Sequence, residues 1–150
     1  MTRRYNIRVY ALIIHEGKVL ITDEQRGGTK MTKFPGGGLE WGEGIADCLR
    51  RECMEELSQD PVSWEHFYTT DFFMQSAFRA EDQLISIYYK ANLPNPERIP
   101  ASEIPFEFTR DEEGAQTFRW IEIGKLNADD LTYPIDKHVV GMLRESAYLR

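Results

Sequence analysis

The sequence has little with which to build a cross-linked, membrane-spanning or nucleic-acid-coating protein. Two cysteines among 150 residues make no disulfide framework. Cys48 and Cys53 are spaced so that a helix does not aim them at each other, and they read as reduced packing residues. No apolar run approaches the ~20 residues of a membrane span. The opening segment MTRRYNIRVYALIIHEGKVL has a short apolar core but no small-residue cleavage site. It continues as strand-like sequence, so no signal peptide is expected, and the expected compartment is the cytoplasm. Positive charge is also scarce: 18 Lys and Arg stand against 25 Asp and Glu, a net charge of −7. That balance argues against general nucleic-acid binding, which favours a basic footprint. It does not exclude an anionic small substrate, because a bound cation reverses the local field. His15, His66 and His138 are scattered with no ligand spacing. No repeat, low-complexity tract or interdomain linker interrupts the chain, so a single domain over residues 1–150 is expected, long enough for a proper core.

What is present reads as strands mixed with two helices. Tyr5 to His15 is rich in β-branched, aromatic and aliphatic residues, and Glu16-Gly17 turns it into a second strand at Lys18–Thr22. Asp23–Thr32 is polar and contains Gly, and is expected as a mobile loop. Lys33-Phe34 reads as a short strand entering a glycine run. Further strands are expected within Val62–Phe73, at Leu84–Leu93 and at Gln116–Ile123, with Gln75–Gln83 a polar connection. Pro94–Gly114 holds four of the seven prolines and many acids, and is expected as a long surface loop. Pro134 fits a first helical position, and Ile135, Val139, Met142 and Leu143 give an amphipathic final helix.

The most specific segment is GGLEWGEGIADCLRRECMEELSQ, from Gly37 to Gln59. Gly44 to about Leu57 is expected to be helical: it has no Pro, and Ala46, Leu49, Cys53 and Leu57 recur at spacings of three and four. At ~100° per residue those four cover an arc of roughly 80°, and Glu52, Glu55 and Glu56 cover an adjoining arc of roughly 100°. One face therefore packs on a core while the next gathers three carboxylates. Like charges this close repel and raise one another's pKa. Oxygen-only ligands suit a hard divalent cation, which commonly joins one or two carboxylates to substrate phosphates. The alternative is a solvated acidic face with Arg50 and Arg51 as local partners.

Gly37, Glu43, Arg51, Glu52, Glu55 and Glu56, at these spacings and with an apolar residue after Glu52, resemble the signature of the Nudix hydrolases. At residue frequencies of about 5–8% the six matches have a chance probability on the order of 10⁻⁷ per starting position. The signature departs at Ser58, where Gly is expected just past the helix as an αL cap, and at Gln59 in place of an apolar residue. A weaker likeness to the MutT-like branch lies at Leu126-Asn127-Ala128-Asp129-Asp130-Leu131, preceded by Arg119-Trp120-Ile121; the alternative is a surface turn before the last helix.

The resemblance implies an α/β fold, an α/β/α sandwich with a mixed β-sheet between helices. It implies hydrolysis of a diphosphate linkage in a nucleoside diphosphate derivative by water attack on phosphorus. Mg²⁺, or Mn²⁺, would be held by Glu52, Glu55, Glu56 and the Gly37 carbonyl, with Glu43 and Arg51 fixing the loop against the helix. Glu52 is the favoured base. Some members recruit a downstream acid, for which Glu113 is the first choice and Glu107, Asp111 and Glu112 compete. Arg26, Lys30 and Lys33 are candidates to reach a phosphate, or else solvated loop charges. Phe72, Phe73, Tyr88 and Tyr89 are candidates to stack a base, though alternation buries about half of such residues. Asp136 aligns near an Asn with which the MutT-like branch reads an oxidised purine; an ionised Asp accepts but cannot donate, so a dedicated 8-oxoguanine sanitiser is not expected. Asp136 could instead simply favour the first turn of its helix. A nucleotide-type small molecule is the expected partner, with no nucleic acid and no membrane, and a homodimer is left open. A silent domain that senses a nucleotide is the alternative function. An isoprenoid diphosphate isomerase would need a reactive Cys outside the acidic helix.

Overall fold

The computed structural model of the protein describes residues 2–148. Its regular elements are β1 (Arg4–His15), β2 (Lys18–Arg26), β3 (Thr29–Lys33), β4 (Gly36–Gly38), α1 (Ile45–Leu57), β5 (Ser63–Thr69), β6 (Asp82–Asn92), β7 (Gln116–Glu122) and α2 (Pro134–Tyr148). The architecture is α/β, with a seven-stranded sheet and two α-helices. Among the described residues no helix is long and apolar enough to cross a membrane. The chain forms two compact units, one of residues through Leu12 with Pro35–Pro94, the other of Ile13–Phe34 with the residues from Asn95 onward.

In the first unit β1 pairs antiparallel with β4, setting Arg8 opposite Gly38, Val9 opposite Gly37 and Tyr10 opposite Gly36. The path continues from β1 to β6 and then to β5, with β5 and β6 antiparallel and a register shift between His66 and Tyr68. The glycine run is therefore itself a strand. Helix α1 forms where the sequence combines helix-favouring Ala, Leu, Arg and Glu with no Pro. Its first turn is closed by the Gly44 N–H, which donates to Asp47 Oδ2 at 2.8 Å. Cys48, Leu49, Cys53 and Leu57 are its buried residues, and Leu49 and Cys53 line one narrow crevice with Ala11, Pro35 and Gly36. Truncating Leu49 to Ala would cost about 2–5 kcal/mol by the general behaviour of buried leucines. The helix ends on Ser58 in the left-handed region (φ 57°), its N–H donating to the Met54 carbonyl. Ser58 thus takes the cap conformation that a glycine usually supplies, at the modest strain of a Cβ there.

In the second unit the β1–β2 hairpin turns on Glu16 (φ 51°) and Gly17 (φ 75°), a two-residue turn whose twist matches its strands. Asp23–Thr32 is not a loop. β2 runs on to Arg26 and β3 returns from Thr29, paired from Thr22–Lys33 to Arg26–Thr29 around Gly27 (φ 57°) and Gly28 (φ 76°). Both glycines adopt the positive φ that such a tight turn requires. β7 pairs antiparallel with β2 along its length. Asp23 is fully buried, and Arg119 Nε and Nη2 donate to its two oxygens at 2.6 and 2.9 Å. The Thr32 hydroxyl donates to it as well, at 2.6 Å. Helix α2 begins at Pro134 and buries Ile135, Val139, Val140 and Leu143. The segment 94–114 is irregular apart from a 3₁₀ turn at Pro96–Arg98, and the Phe106 N–H ties it to Asp23 Oδ2 at 3.2 Å.

Candidate active site

Arg51 organises the acidic end of the first unit. Its Nε and Nη2 donate to Glu43 Oε2 and Oε1 at 2.9 and 2.7 Å. Nη2 also donates to the Gly38 carbonyl at 3.0 Å, and Nη1 donates to Glu52 Oε1 at 2.9 Å and Glu55 Oε2 at 3.2 Å. Glu40 lies 3.7 Å from the same Nη1. One guanidinium thus ties the segment before the helix to the strand of glycines and to two turns of α1. Its planar fork matches carboxylate geometry in a way Lys would not. Glu56 is held separately: its Oε2 accepts the Gly36 N–H at 2.8 Å. Glu52 packs directly over Gly37, where a Cβ would collide with its carboxylate. Glu52 is largely buried and Glu55 is mostly exposed.

The structure therefore brings together Gly37, Glu43, Arg51, Glu52, Glu55 and Glu56, all in the first unit. Five acidic residues, Glu40, Glu43, Glu52, Glu55 and Glu56, gather around Arg51, with Arg8 beside them facing Gly38. The hydrogen bonds from Arg51, and then the Glu40 N–H, hold the Glu43 carboxyl at about 2, well below the usual range, while the Arg51 pKa is raised. The donor chemistry fits a hard divalent cation, being carboxylate and carbonyl oxygen throughout. Among the described residues no three acidic, His or Cys side chains form a metal cage by themselves. Mg²⁺ does not need one, since substrate phosphates and waters usually complete its shell. Glu52, Glu55, Glu56 and the Gly37 carbonyl are the groups that would hold it.

The depressed Glu43 pKa has a testable consequence. Its stabilisation is fully present above its unfolded pKa of 4.5 and is lost as pH falls through its folded value of about 2. Asp60 and Asp82, lowered by Arg50 and Arg4, act in the same direction. The gap in Tm between wild type and Glu43→Gln is expected to narrow as pH falls from about 5 to about 2. A gap that stays constant over that window would contradict the assigned pairing.

Arg26, Lys33, Glu113 and Asp136 lie in the second unit. Arg26 is exposed at the end of β2. Lys33 is not a loop cation: it is buried, 3.1 Å from Glu24 Oε2, and donates to the Phe34 carbonyl. Lys30 pairs with Asp111 at 3.4 Å and sits over the Phe106 and Phe108 rings. Both Glu113 oxygens accept the Gly27 N–H, at 2.9 and 2.8 Å, placing that carboxylate on the β2–β3 turn. Asp136 is buried in the first turn of α2. Cys48 and Cys53 are free and buried, and burial pushes both thiols up to about 12, which leaves neither poised for chemistry.

Two residues beside the cluster carry no signature of their own in the sequence. Glu40 adds an acid to the Arg51 assembly. Arg8 faces Gly38 across the β1–β4 ladder, its Nε donating to Tyr10 Oη at 2.7 Å. The available signal for Arg8 was a charged residue directly before the apolar run Val9–Ile14.

The family model described as NUDIX domain matches residues 3–141. No curated protein sequence matches the chain significantly. Among solved structures, a NUDIX hydrolase from Nitrosomonas europaea is similar at 19% identity and a TM-score of 0.68, covering 96% of this chain and 90% of that one. A MutT NUDIX hydrolase from Burkholderia pseudomallei is similar at 19% identity and a TM-score of 0.62, over 95% and 98% of the two chains. An ADP compounds hydrolase is similar at 14% identity and a TM-score of 0.64, over 95% and 73%. These likenesses establish the fold as the α/β/α sandwich with a mixed sheet.

Proposed function

The chain belongs to the NUDIX domain family, whose members generally hydrolyse nucleoside diphosphate derivatives, and from that premise we propose that it is a divalent-metal-dependent hydrolase of such a diphosphate linkage. The observation that carries the reading is the gathering of Glu52, Glu55 and Glu56 on one side of α1 against Gly36 and Gly37. Arg51 and the Gly36 N–H constrain these side chains. A divalent cation, when bound, neutralises diphosphate charge and lowers the pKa of a water.

The chain's own residues do the rest. Glu52, Glu55 and Glu56, with the Gly37 carbonyl, would provide the oxygen ligands. Glu52, largely buried over Gly37, takes the proton from the attacking water. The new O–P bond forms as the bridging P–O bond breaks, and a phosphate or nucleoside monophosphate leaves. Arg51 positions Glu52 and Glu55 and touches no reacting atom. Glu113 is the proposed auxiliary acid. Arg26 and Asp136 are the proposed substrate contacts, and Lys33, buried against Glu24, is proposed to act by positioning Glu24.

The test is a panel of nucleoside triphosphates, dinucleoside polyphosphates and nucleotide sugars, incubated with Mg²⁺, with Mn²⁺ or with EDTA, and products separated by ion-exchange chromatography. At least one compound is expected to be cleaved at a diphosphate linkage with Mg²⁺ or Mn²⁺ and spared with EDTA. No cleavage across the panel, with saturable nucleotide binding, would favour a ligand-sensing domain instead.

A further inference from the structure

A cavity of about 670 Å³ opens in the first unit between the start of β1 and the connection from β5 to β6. That volume lies within the ~300–1,000 Å³ common for small-molecule sites. Its two aromatic walls are unusual for surface residues: Tyr5 is 67% exposed and Phe73 is 70% exposed, and both line the same space. Large apolar rings left to water together are informative in a way that isolated ones are not.

The polar groups around the rings are unevenly committed. Arg4 is spent on Asp82, donating from Nε at 2.8 Å, and Asp82 is buried. That pair is a neutral floor, and Glu81, the other carboxylate that lines the cavity, is paired with Arg79 at 3.4 Å. Arg3 has no ion-pair or hydrogen-bond partner among the described residues, and neither has the side-chain amide of Gln83. The wall bearing Phe73 is built rather than loose. Gln75 Nε2 donates to the Ala80 carbonyl at 2.7 Å, the Ser76 N–H donates to the Asp82 carbonyl at 2.9 Å, and the Leu84 N–H donates to the Met74 carbonyl at 2.8 Å.

We infer that this cavity is a binding site for a flat aromatic ring carrying an anionic group, the chemistry of a nucleoside monophosphate. Tyr5 and Phe73 offer ring faces for the base. Arg3 offers a planar fork for the phosphate, and the Gln83 amide can both donate to and accept from a base edge. Along β1 the nearest lining residue, Tyr5, is three residues from Arg8, which faces Gly38, roughly 10 Å at the rise of a strand. The site is therefore separate from the Glu cluster, and its occupancy does not require catalysis.

The experiment is isothermal titration calorimetry of the full chain in EDTA with AMP, adenosine and ribose 5-phosphate as probes. Without a divalent cation the acidic cluster repels phosphate, so binding to the cavity is what remains. AMP is expected to bind at one site, at least tenfold more tightly than either fragment. Phe73→Ala is expected to weaken AMP by about tenfold or more while leaving ribose 5-phosphate unchanged. Arg3→Ala should weaken AMP and ribose 5-phosphate while leaving adenosine unchanged. Both side chains are exposed, so a melting curve like wild type is expected for each variant, and Phe73→Tyr should retain binding. Absence of AMP binding in EDTA would overturn the proposal. So would AMP binding insensitive to Phe73→Ala and Arg3→Ala, or binding equally disturbed by Glu55→Gln, which would place the nucleotide at the acidic cluster.

Discussion

Glu55→Gln and Glu56→Gln are each expected to lower kcat by at least about 10²-fold, because each removes a charge that helps hold the cation. The fold should survive both changes. Glu55 is mostly exposed and is one of several partners of Arg51. The amide oxygen of a Gln at 56 can still accept the Gly36 N–H that Glu56 Oε2 accepts now. Losing a carboxylate from an acidic cluster also relieves repulsion when no metal is bound, so Tm in EDTA is expected to stay level or rise slightly. Steady-state hydrolysis of whichever compound the substrate panel yields, with a Mg²⁺ titration for each variant, makes the check. A metal-ligand role predicts partial recovery at high Mg²⁺. Near-wild-type kcat in both variants would remove these residues from the site. Glu52→Gln should behave differently: if Glu52 is the base, its loss in kcat is not recovered at any Mg²⁺ concentration.

The legible parts of this chain were those in which chemistry and periodicity agree. From Gly37 to Leu57 the spacing that gathers the acids on α1 also sets Leu49, Cys53 and Leu57 on the buried face, where Cys48 is buried and the expected Ala46 only partly so, so one pattern located the helix and the acids together. The β2–β3 hairpin was illegible for the converse reason. Asp23 and Thr32 look like loop residues, yet they are buried: Arg119, far along the chain, donates to both Asp23 oxygens, and the Thr32 hydroxyl donates to Asp23 Oδ1. Lys33 was misread in the same way, since its partner Glu24 sits on the neighbouring strand. A long-range polar pair leaves no local trace in composition or alternation. Ser58 shows a smaller version of the problem. The residue type argued against the cap conformation, and the Met54 carbonyl with its helix imposed it regardless. Phe73 was visible as an aromatic residue in a strand-like run, but its exposure follows from β5 ending at Thr69, which hydrophobicity alone could not place.

Two adjacent glycines should fail in different ways when given a methyl group. At Gly36 φ is +147°, and a Cβ would run into the Val9 carbonyl and the Tyr10 Cα, both backbone atoms of the paired strand. Neither can withdraw without breaking the β1–β4 ladder, so Gly36→Ala is expected to cost about 3 kcal/mol or more, in the range of overpacked cores with added backbone strain. For a chain of this size that lowers Tm by roughly 6–12 °C. At Gly37 the backbone is unstrained, and what a Cβ meets is the carboxylate of Glu52. That group is the end of a flexible side chain and can swing aside, so Gly37→Ala is expected to change Tm by less than about 4 °C. The displaced carboxylate, however, leaves the position from which it accepts from Arg51 Nη1 at 2.9 Å. A base moved by about 1 Å loses on the order of 10²-fold in rate. Gly37→Ala should therefore lower kcat by about that factor in a folded protein, while Gly36→Ala should be chiefly a stability variant. Thermal melts and kcat for the pair decide the matter. If Gly37→Ala keeps full activity, Glu52 does not act from its place over Gly37. If Gly36→Ala melts like wild type, the close approach of β4 to β1 is not a constraint on the fold.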